Sequence, residues 1–228
     1  TEGFLAQGAK VAFVQRSDCD EFLDEISSKY KYNPLFIKCY ITDIDALKSA
    51  ISNASKANGG INVLINNAAN DTRHTLDTMT TEEWDQSINI NLRPHFFTAQ
   101  AVAPFMKTQG GGSIINFSSN SYMMGNSGLP AYVTSKAGIT GLTRSLAREL
   151  GVDGIRVNTL IPGWVLTERQ LRLWANDKDL ASHMEKQCIK EHLVPNDLID
   201  STLFLASDAS RMMTGQALVI DGGVVVTG

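Results

Sequence analysis

The chain alternates short apolar runs, rich in β-branched residues, with longer amphipathic segments, and this alternation constrains the fold more than any other feature. Nearly continuous hydrophobicity indicates strands that are buried on both faces, as in a parallel sheet. The runs predicted to form strands are residues 9–14, 34–39, 61–66, 112–118, 154–161 and 216–221. The segments predicted to form helices are residues 19–30, 43–57, 81–108, 130–150 and 196–206. Strand alternating with helix predicts an α/β fold with a doubly wound parallel sheet and helices on both faces.

Local signals mark several helix ends. Asp43 and Thr80 stand at the start of predicted helices and are expected N-caps, because their side-chain oxygens can accept hydrogen bonds from the free amides of a first turn. Gly8 and Gly151 stand where helices are expected to end.

Composition and charge exclude several classes of function. The 228 residues are 43% hydrophobic with a net charge of −4, which suits one α/β domain over residues 1–228 and argues against nucleic acid or an anionic membrane as a partner. The three cysteines form no CxxC pair and the four histidines show no ligand spacing, so no metal site is predicted. No apolar run approaches the roughly 20 residues of a membrane span and no signal peptide is visible, so a cytoplasmic protein is expected.

The start of the chain lacks one unit of the alternating pattern. Residues 1–14 predict the second half of a helix, a glycine stop and a strand, with no strand or glycine-rich phosphate loop before them. The absent strand would be central in such a sheet, and its neighbours would carry unpaired buried backbone groups at about 1–3 kcal/mol each. We therefore expect roughly 25 residues to precede Thr1 in the working protein, the usual length of a strand, a loop and half a helix.

Tyr132 and Lys136 stand four residues apart in a predicted helix. Residues at this spacing share one helix face, with Cβ atoms about 5–6 Å apart. An ammonium beside a phenol favours the phenolate and lowers its pKa from about 10 toward neutrality. The two residues are either an ordinary exposed pair or part of acid–base chemistry, and the spacing alone leaves both interpretations open.

Polar residues elsewhere favour the chemical interpretation. Ser119 follows a predicted strand that precedes the helix of Tyr132, so both side chains can reach the carboxyl edge of the sheet. Asn91 lies in an apolar helix, where a buried amide needs a partner or a bound water. The stretch NNAA at 66–69 ends another strand with asparagines and small alanines that permit the close approach of a ligand. Residues 162–163, Pro-Gly, make an abrupt turn after a further strand.

In this order and at these spacings, the pieces resemble the short-chain dehydrogenase/reductase family, whose fold is Rossmann-like. The family's NNAG appears as NNAA, its YxxxK as Tyr132 and Lys136, its PG turn as PGWVLT and its C-terminal TGQ…DGG as MMTGQALVIDGG. The resemblance covers the entire chain. It implies hydride transfer between a nicotinamide cofactor and an alcohol.

The resemblance also implies roles for individual residues. Tyr132 would be the general base in oxidation and the acid in reduction, and Lys136 would lower its pKa and hold the ribose hydroxyls. Ser119 would hydrogen-bond the reacting oxygen, and Asn91 would hold a water in the proton relay to Lys136. The implied cofactor-binding residues are Gln15, Arg16, Asn67, Ala68, Ala69, Tyr132, Lys136, Pro162, Gly163, Val165 and Thr167.

The cofactor positions depart from the family pattern. Gln15 stands where an acidic residue would bind the adenosine ribose hydroxyls, and Arg16 follows it. A guanidinium can bind a 2′-phosphate, which favours NADP, with NAD as the alternative. Tyr40 replaces the acid expected to contact adenine.

Within the family, the sequence is similar to bacterial sugar 1-dehydrogenases. The stretches that carry this likeness are NNAANDTRH (66–74), TERQLRLW (167–174), EKQCIKEHLVP (185–195) and DASRMMTGQ (208–216). The likeness implies oxidation of an aldose at C1 to its lactone, beneath a lid segment at 165–195. The residues suited to a pyranose, which needs hydrogen-bonding groups and an aromatic face, are Asn120, Trp164, Arg169 and Gln170. Arg169 and Gln170 could equally cap or solvate a lid helix, and Asp71 could pair with Arg73 or the next subunit.

Two other interpretations remain open. A 3-ketoacyl-carrier-protein reductase shares the catalytic set, but its acidic partner would favour a basic rim, and segment 167–192 is mixed in charge. A catalytically silent nucleotide-binding relative is suggested by the absent glycine loop, whereas the intact catalytic set argues against it. The resemblance further implies a homo-oligomer, a dimer or a tetramer, formed through residues 81–108, 130–150 and the C-terminal strand.

Overall fold

The strands of the computed structural model, which describes residues 1–226, are parallel and lie close to their predicted positions. They are β1 Ala12–Gln15, β2 Leu35–Lys38, β3 Val63–Asn66, β4 Gly112–Phe117, β5 Ile155–Pro162 and β6 Ala217–Ile220. The predicted α/β arrangement is confirmed, with one difference. β1 pairs with β2 in a sheet of two strands, and the other four form a second sheet in the order β3-β4-β5-β6. The strand expected between the two sheets remains a prediction.

Helices connect these strands, and their capping follows the local sequence. They are α1 Glu2–Ala6, α2 Asp20–Ser27, α3 Ile44–Asn58, α4 Thr81–Asn91, α5 Arg93–Thr108, α6 Ser121–Met124, α7 Pro130–Leu150, α8 Glu168–Leu173, α9 Asp177–Lys186 and α10 Ile199–Ala206. The Asp43 side chain accepts a hydrogen bond from the Ala46 amide at 3.0 Å, and Thr80 forms a capping box with Glu83. Both predicted N-caps are therefore confirmed.

The predicted glycine stops differ from each other. Gly8 follows α1 with a φ of 76°, the left-handed conformation typical of a glycine after a helix. Gly151 follows α7 but keeps a right-handed conformation, and a short 3₁₀ turn continues to Asp153. The left-handed residue is Gly154, with a φ of 73°.

The single helix predicted over residues 81–108 is wrong, because the chain breaks at Leu92 into α4 and α5. Leu92 has a φ of −126° and a ψ of −52°. Pro94 has no amide hydrogen to donate to the Ile90 carbonyl, and the His95 amide donates to the Leu92 carbonyl at 3.1 Å. The break leaves Asn91 at the end of α4, beside the loop that follows β3.

Successive side chains of β4 enter two different apolar cores, as expected for a strand that is buried on both faces. Ile114 packs with α3, α5 and α7, whereas Ile115 packs on the other face with Leu205 of α10. The first core contains Ile51, Ala99, Val102, Ala103, Met106, Ile114, Leu146, Ala147, Leu150, Ile155 and Val157. Burial of one such large aliphatic side chain stabilises the fold by about 1.5–3 kcal/mol.

A chain of buried polar side chains joins the ends of β3 and β4 to the helices. The Asn66 amide donates to the Asn116 side-chain oxygen at 2.9 Å, and the Asn116 amide donates to the Thr143 hydroxyl at 3.0 Å. The Thr98 hydroxyl donates to the Asn66 side-chain oxygen at 2.9 Å. Because these amides are paired, they can be buried at the edge where the candidate site lies.

Residues 1–226 contain no helix that is both long enough and apolar enough to cross a membrane. The same residues contain no cluster of three or more histidine, cysteine, aspartate or glutamate side chains that could hold a metal ion.

Candidate active site

Tyr132, Lys136 and Ser119 meet where β4 ends and α7 begins. α7 starts at Pro130, whose fixed φ suits the first position of a helix, so Tyr132 and Lys136 lie in its first two turns. The Lys136 ammonium lies 5.4 Å from the centroid of the Tyr132 ring. It donates a hydrogen bond to the carbonyl of Phe117, the last residue of β4, at 2.9 Å. The pair therefore faces the strand end that Ser119 follows.

Lys136 is one of the most buried side chains of the protein, at 1% exposure. The Ser118 hydroxyl donates to the Lys136 carbonyl at 2.7 Å, which fixes this turn of α7 on the strand end. Burial lowers the pKa of Lys136 to about 8. A lysine with such a pKa can exchange between the ammonium, which releases a proton, and the neutral amine, which accepts one, near neutral pH.

Burial raises the pKa of Tyr132 to about 12. The Ser119 hydroxyl opposes this rise, the charge of Asp71 adds to it, and the charge of Arg169 opposes it. The lowering expected from Lys136 is wrong for this structure, because the cost of burying a phenolate outweighs the stabilisation by neighbouring groups. Tyr132 is therefore a protonated phenol at neutral pH, the form that can donate a proton.

The Asn91 side chain is buried and binds the loop after β3. Its oxygen accepts from the Asn70 amide at 2.8 Å, and its NH₂ group donates to the Asn70 carbonyl at 2.9 Å and to the Ser87 hydroxyl at 3.2 Å. These bonds satisfy the buried amide and fix the position of Asn70. The water beside Lys136 that the resemblance implies remains a prediction, and the backbone of Asn91 would have to hold it.

His95 is 2% exposed and lies close enough to Lys136 to be affected by its charge. Neither of its ring nitrogens has a hydrogen-bond partner of acceptable geometry within residues 1–226. Burial and the charge of Lys136 lower the pKa of His95 to about 3, and the nearby backbone of Asn66 only partly opposes this. The imidazole is therefore neutral throughout the physiological range.

His95→Phe is expected to reduce the loss of stability in mild acid. The unfolded chain binds a proton on His95 below about pH 6.5, but the folded chain does so only near its lowered pKa, so wild-type stability falls as the pH drops through this window. From pH 7.5 to pH 5 this group alone should cost about 2 kcal/mol. Urea unfolding at both pH values measures the difference, with exposed His192→Gln as the control. Equal losses for wild type and His95→Phe would contradict the buried neutral imidazole.

Gln15 and Arg16, the residues predicted to distinguish NADP from NAD, lie at the carboxyl end of β1. The Gln15 amide donates to the Ser17 carbonyl at 3.0 Å, whereas Arg16 is exposed. The nearby carboxylate of Asp18 pairs with Lys38 at 2.8 Å, so its charge is partly compensated. Tyr40, at the position expected to contact adenine, is 61% exposed.

The remaining predicted cofactor residues lie at the ends of β3 and β5. Asn67, Ala68 and Ala69 are exposed directly after β3, in agreement with a surface on which a ligand can lie.

Pro162 is the last residue of β5, and the backbone at Gly163 packs against Asp221. A Cβ on Gly163 would lie 2.7 Å from the Asp221 Cβ, so glycine is required there by packing. Val165 forms an isolated parallel bridge with Leu193, and the Thr167 hydroxyl caps α8 through the Gln170 amide.

Three of the predicted substrate residues form a connected group on and before α8. The Trp164 indole donates to the Gln170 side-chain oxygen at 3.0 Å, and the side-chain NH₂ group of Gln170 donates to the Asp71 carboxylate at 2.6 Å. The Arg169 guanidinium donates to the other carboxylate oxygen of Asp71 and, at 3.2 Å, to the Asn70 side chain. Of the two alternatives for Asp71, the pairing with Arg73 is therefore wrong, because Arg73 stacks 4.2 Å from the centroid of the Trp174 ring. The pairing with the next subunit stays a prediction.

Asn120 supports the strand ends, and its predicted contact with substrate stays a prediction. It is 5% exposed, and its amide donates to the Asp221 carboxylate at 3.1 Å. The same carboxylate accepts from the backbone amides of Gly223, Val224 and Val225. Asp221 thus fixes the C-terminal turn against the end of β4.

Three residues of this region were missed as functional candidates: Asp71, His95 and Asp221. Asp71 stands in a stretch that carries the likeness to sugar dehydrogenases, but the pattern gave no reason to connect it to a helix 98 positions later. His95 had no signal beyond its apolar surroundings. Asp221 belongs to the C-terminal DGG of the resemblance, and its short spacing from a strand end could have indicated a turn.

Comparisons with known proteins agree with this geometry. A family model described as "Enoyl-(Acyl carrier protein) reductase" matches residues 1–225. The chain is 47% identical over 225 residues to the "Probable galactose dehydrogenase GalD" of Rhizobium meliloti (strain 1021), covering 98% of this chain and 88% of the relative. It is 42% identical over 224 residues to the D-xylose 1-dehydrogenase of Caulobacter vibrioides (strain NA1000 / CB15N), with the same two coverages. A solved structure described as "a putative short-chain alcohol dehydrogenase from Sinorhizobium meliloti 1021" superposes with a TM-score of 0.87 and 29% identity, covering 97% of this chain and 88% of that one.

The chain belongs to the short-chain dehydrogenase/reductase family and is a nicotinamide-dependent oxidoreductase. The residues at the carboxyl edge fit such a cofactor. An ammonium has three N–H donors, and the Phe117 carbonyl uses one of those of Lys136, so donors remain for ribose hydroxyls. The exposed Ala68 and Ala69 leave room for a flat ligand beside them.

Proposed function

We propose that the chain oxidises an aldose at its anomeric carbon to the lactone, with NADP as the preferred cofactor. The convergence of Tyr132, Lys136 and Ser119 carries this proposal, in a chain similar over nearly its whole length to relatives named for galactose and xylose. Relatives named as 3-oxoacyl-[acyl-carrier-protein] reductases are less similar, at 34% identity for that of Thermotoga maritima. We therefore rank a reductase of that kind second.

The chain's own residues would bind both reactants at the carboxyl edge of the larger sheet. Lys136 would hold the ribose hydroxyls, and the backbone after β3 and at Val165 would line the rest of the cofactor site. When bound, the nicotinamide ring supplies the acceptor for the hydride. Ser119 would donate to the reacting oxygen and hold it beside the phenol of Tyr132.

Tyr132 would move the proton. In oxidation the deprotonated phenol accepts the hydroxyl proton of the substrate, and in reduction the phenol returns it. Since the pKa of Tyr132 is about 12 in this structure, its proton must first be transferred away before oxidation. Lys136 is the nearby group that would accept this proton, in the neutral amine form that its pKa of about 8 makes accessible near neutral pH.

The preference for NADP is supported by charge at the end of β1. Gln15 brings no negative charge to repel a 2′-phosphate, and exposed Arg16 can bind one with a planar guanidinium. The carboxylate of Asp18, three residues after Gln15, is paired with Lys38.

An aldose panel assayed separately with NADP and NAD tests the proposal. We expect at least one aldose to reduce the cofactor. The kcat/KM for NADP should be about tenfold or more above that for NAD, because the Arg16 guanidinium can bind the additional 2′-phosphate of NADP. The formation of reduced nicotinamide is followed by absorbance. A preparation that oxidises no aldose but reduces a 3-ketoacyl thioester would overturn the sugar assignment, and a preference for NAD would overturn the cofactor assignment.

We further propose one cytoplasmic domain that assembles as a homo-oligomer. Support for the assembly comes from apolar side chains exposed on the helices expected at the interface, Trp84 of α4 at 37% and Phe96 of α5 at 42%.

A further inference from the structure

The Asp71 carboxylate stands in a rigid part of the candidate site. Asn91 holds both backbone groups of the preceding Asn70, at 2.8 and 2.9 Å, and Asn91 itself is fully buried. Because the backbone of Asn70 is anchored, the backbone of Asp71, the next residue, cannot shift freely with the loop. Asp71 is therefore placed with the precision that substrate recognition needs.

Both oxygens of this carboxylate are oriented by α8. Arg169 donates to Oδ1, and Gln170 donates to Oδ2 at 2.6 Å. Gln170 is itself held by the Trp164 indole at 3.0 Å. A carboxylate offers about four acceptor sites, so each oxygen can accept a further hydrogen bond while these donors remain in place.

The carboxylate also lies within electrostatic range of the reaction centre. Asp71 and Arg169 both act electrostatically on the phenol of Tyr132, with opposite signs. The Asp71 side chain is 21% exposed, so it is partly open to a ligand. Burial alone would raise the pKa of Asp71, but the hydrogen bonds and charge of Arg169 and the bond from Gln170 outweigh it, so its pKa lies below the ordinary value and it is an acceptor at neutral pH.

We propose that Asp71 is a specificity-determining residue that accepts a hydrogen bond from the substrate hydroxyl adjacent to the reacting carbon, while Arg169 and Gln170 hold it in position. This inference rests on the proposed function, in which that hydroxyl is the C2 hydroxyl of an aldose.

The chemistry of the group favours a neutral, polyhydroxylated substrate. An ionised carboxylate can only accept hydrogen bonds, and its charge repels an anionic substrate. A substrate hydroxyl can donate to this carboxylate and also accept a hydrogen bond from the neighbouring guanidinium. A site built to hydrogen-bond a hydroxyl rejects an analogue that lacks it strongly, because the site's polar group is then left unpaired. Asp71 should therefore decide how well the enzyme distinguishes an aldose from its 2-deoxy analogue.

Asp71→Asn tests the inference, with Asp77→Asn as the matched control. Asp77 is exposed in the same stretch between β3 and α4, and the change is chemically identical. The aldose with the highest kcat/KM in the panel is compared with its 2-deoxy analogue for wild type and both variants. We expect the ratio of the two kcat/KM values to fall by about tenfold or more in Asp71→Asn, in keeping with the loss of a specific hydroxyl contact. Asp77→Asn should keep the wild-type ratio.

The outcomes separate this inference from the proposed function. A ratio that changes less than threefold in Asp71→Asn, even with lower activity on both sugars, would mean that Asp71 only supports the fold of α8 and would overturn the inference alone. A wild type that oxidises no aldose would overturn both. NADPH fluorescence reports whether the variant still binds cofactor, and Asp71→Ser replaces Asp71→Asn if the latter fails to fold.

Discussion

Tyr132→Phe is expected to bind cofactor like wild type and to lose nearly all turnover. The change removes only the phenolic hydroxyl, so the ring that packs 5.4 Å from the Lys136 ammonium stays in place. The hydroxyl is the group that exchanges a proton with the substrate, and loss of a general acid–base group lowers rates by about 10²- to 10⁴-fold. Steady-state kcat and NADPH fluorescence measure the two properties separately.

Tyr122→Phe is the matched control for this change. Tyr122 lies in α6, and its phenol accepts a long hydrogen bond from the Thr140 hydroxyl at 3.4 Å. We expect this variant to keep most of its activity. If Tyr132→Phe retains more than about a tenth of the wild-type rate, proton transfer does not depend on this phenol and the acid–base assignment fails.

Lys136→Met is expected to be inactive and yet more stable than wild type. The pKa of Lys136 is lowered to about 8, so the folded chain releases its proton at a lower pH than the unfolded chain does, near 10.4. Wild-type stability therefore falls as the pH drops from about 10.4 to 8 and stays reduced below that, by on the order of 3 kcal/mol. The lost hydrogen bond to Phe117 offsets about 1 kcal/mol of the gain.

Urea unfolding at pH 7, together with kcat and cofactor affinity, checks this prediction. We expect the free energy of unfolding to rise by about 1–3 kcal/mol and turnover to fall by at least about 100-fold. Lys107→Met, which changes a half-exposed lysine paired with Asp153 at 2.8 Å, should leave activity unchanged. A Lys136→Met variant that is less stable than wild type would show that the buried ammonium stabilises the fold.

Those parts of the fold that depend on local pattern were predictable. The six strands follow from runs of apolar residues that no helical period explains, and the caps at Asp43 and Thr80 follow from side chains that bond within three residues. The break at Leu92 had one local signal, Pro94. In a continuous amphipathic pattern, however, a proline that begins a second helix cannot be distinguished from a proline within one long helix. The separation of β1 and β2 from the larger sheet depends on pairing between distant segments.

The candidate site was predictable only in part, because local spacing is visible in the sequence whereas contacts between distant segments are not. Tyr132 and Lys136 are neighbours on one helix, and Ser119 follows the adjoining strand, so sequence spacing alone brings them together. The contact between Asp71 and Arg169 joins residues 98 positions apart and exists only after α8 folds over the loop. The raised pKa of Tyr132 was missed because desolvation depends on how completely the whole chain covers the ring.

The pair of asparagines at the ends of β3 and β4 has a consequence for how the strands find each other. Strands that are apolar on both faces could slide by one or two residues without exposing much hydrophobic surface, so apolar patterning sets their alignment only weakly. Asn66 lies directly opposite Asn116, and their side chains bond at 2.9 Å. A shifted alignment would break this bond and leave one buried donor, on Asn66, and one buried acceptor, on Asn116, unpaired at about 1–3 kcal/mol each. The hydrogen bond between Asn66 and Asn116 therefore selects one register of β3 against β4 over the registers shifted by one or two residues.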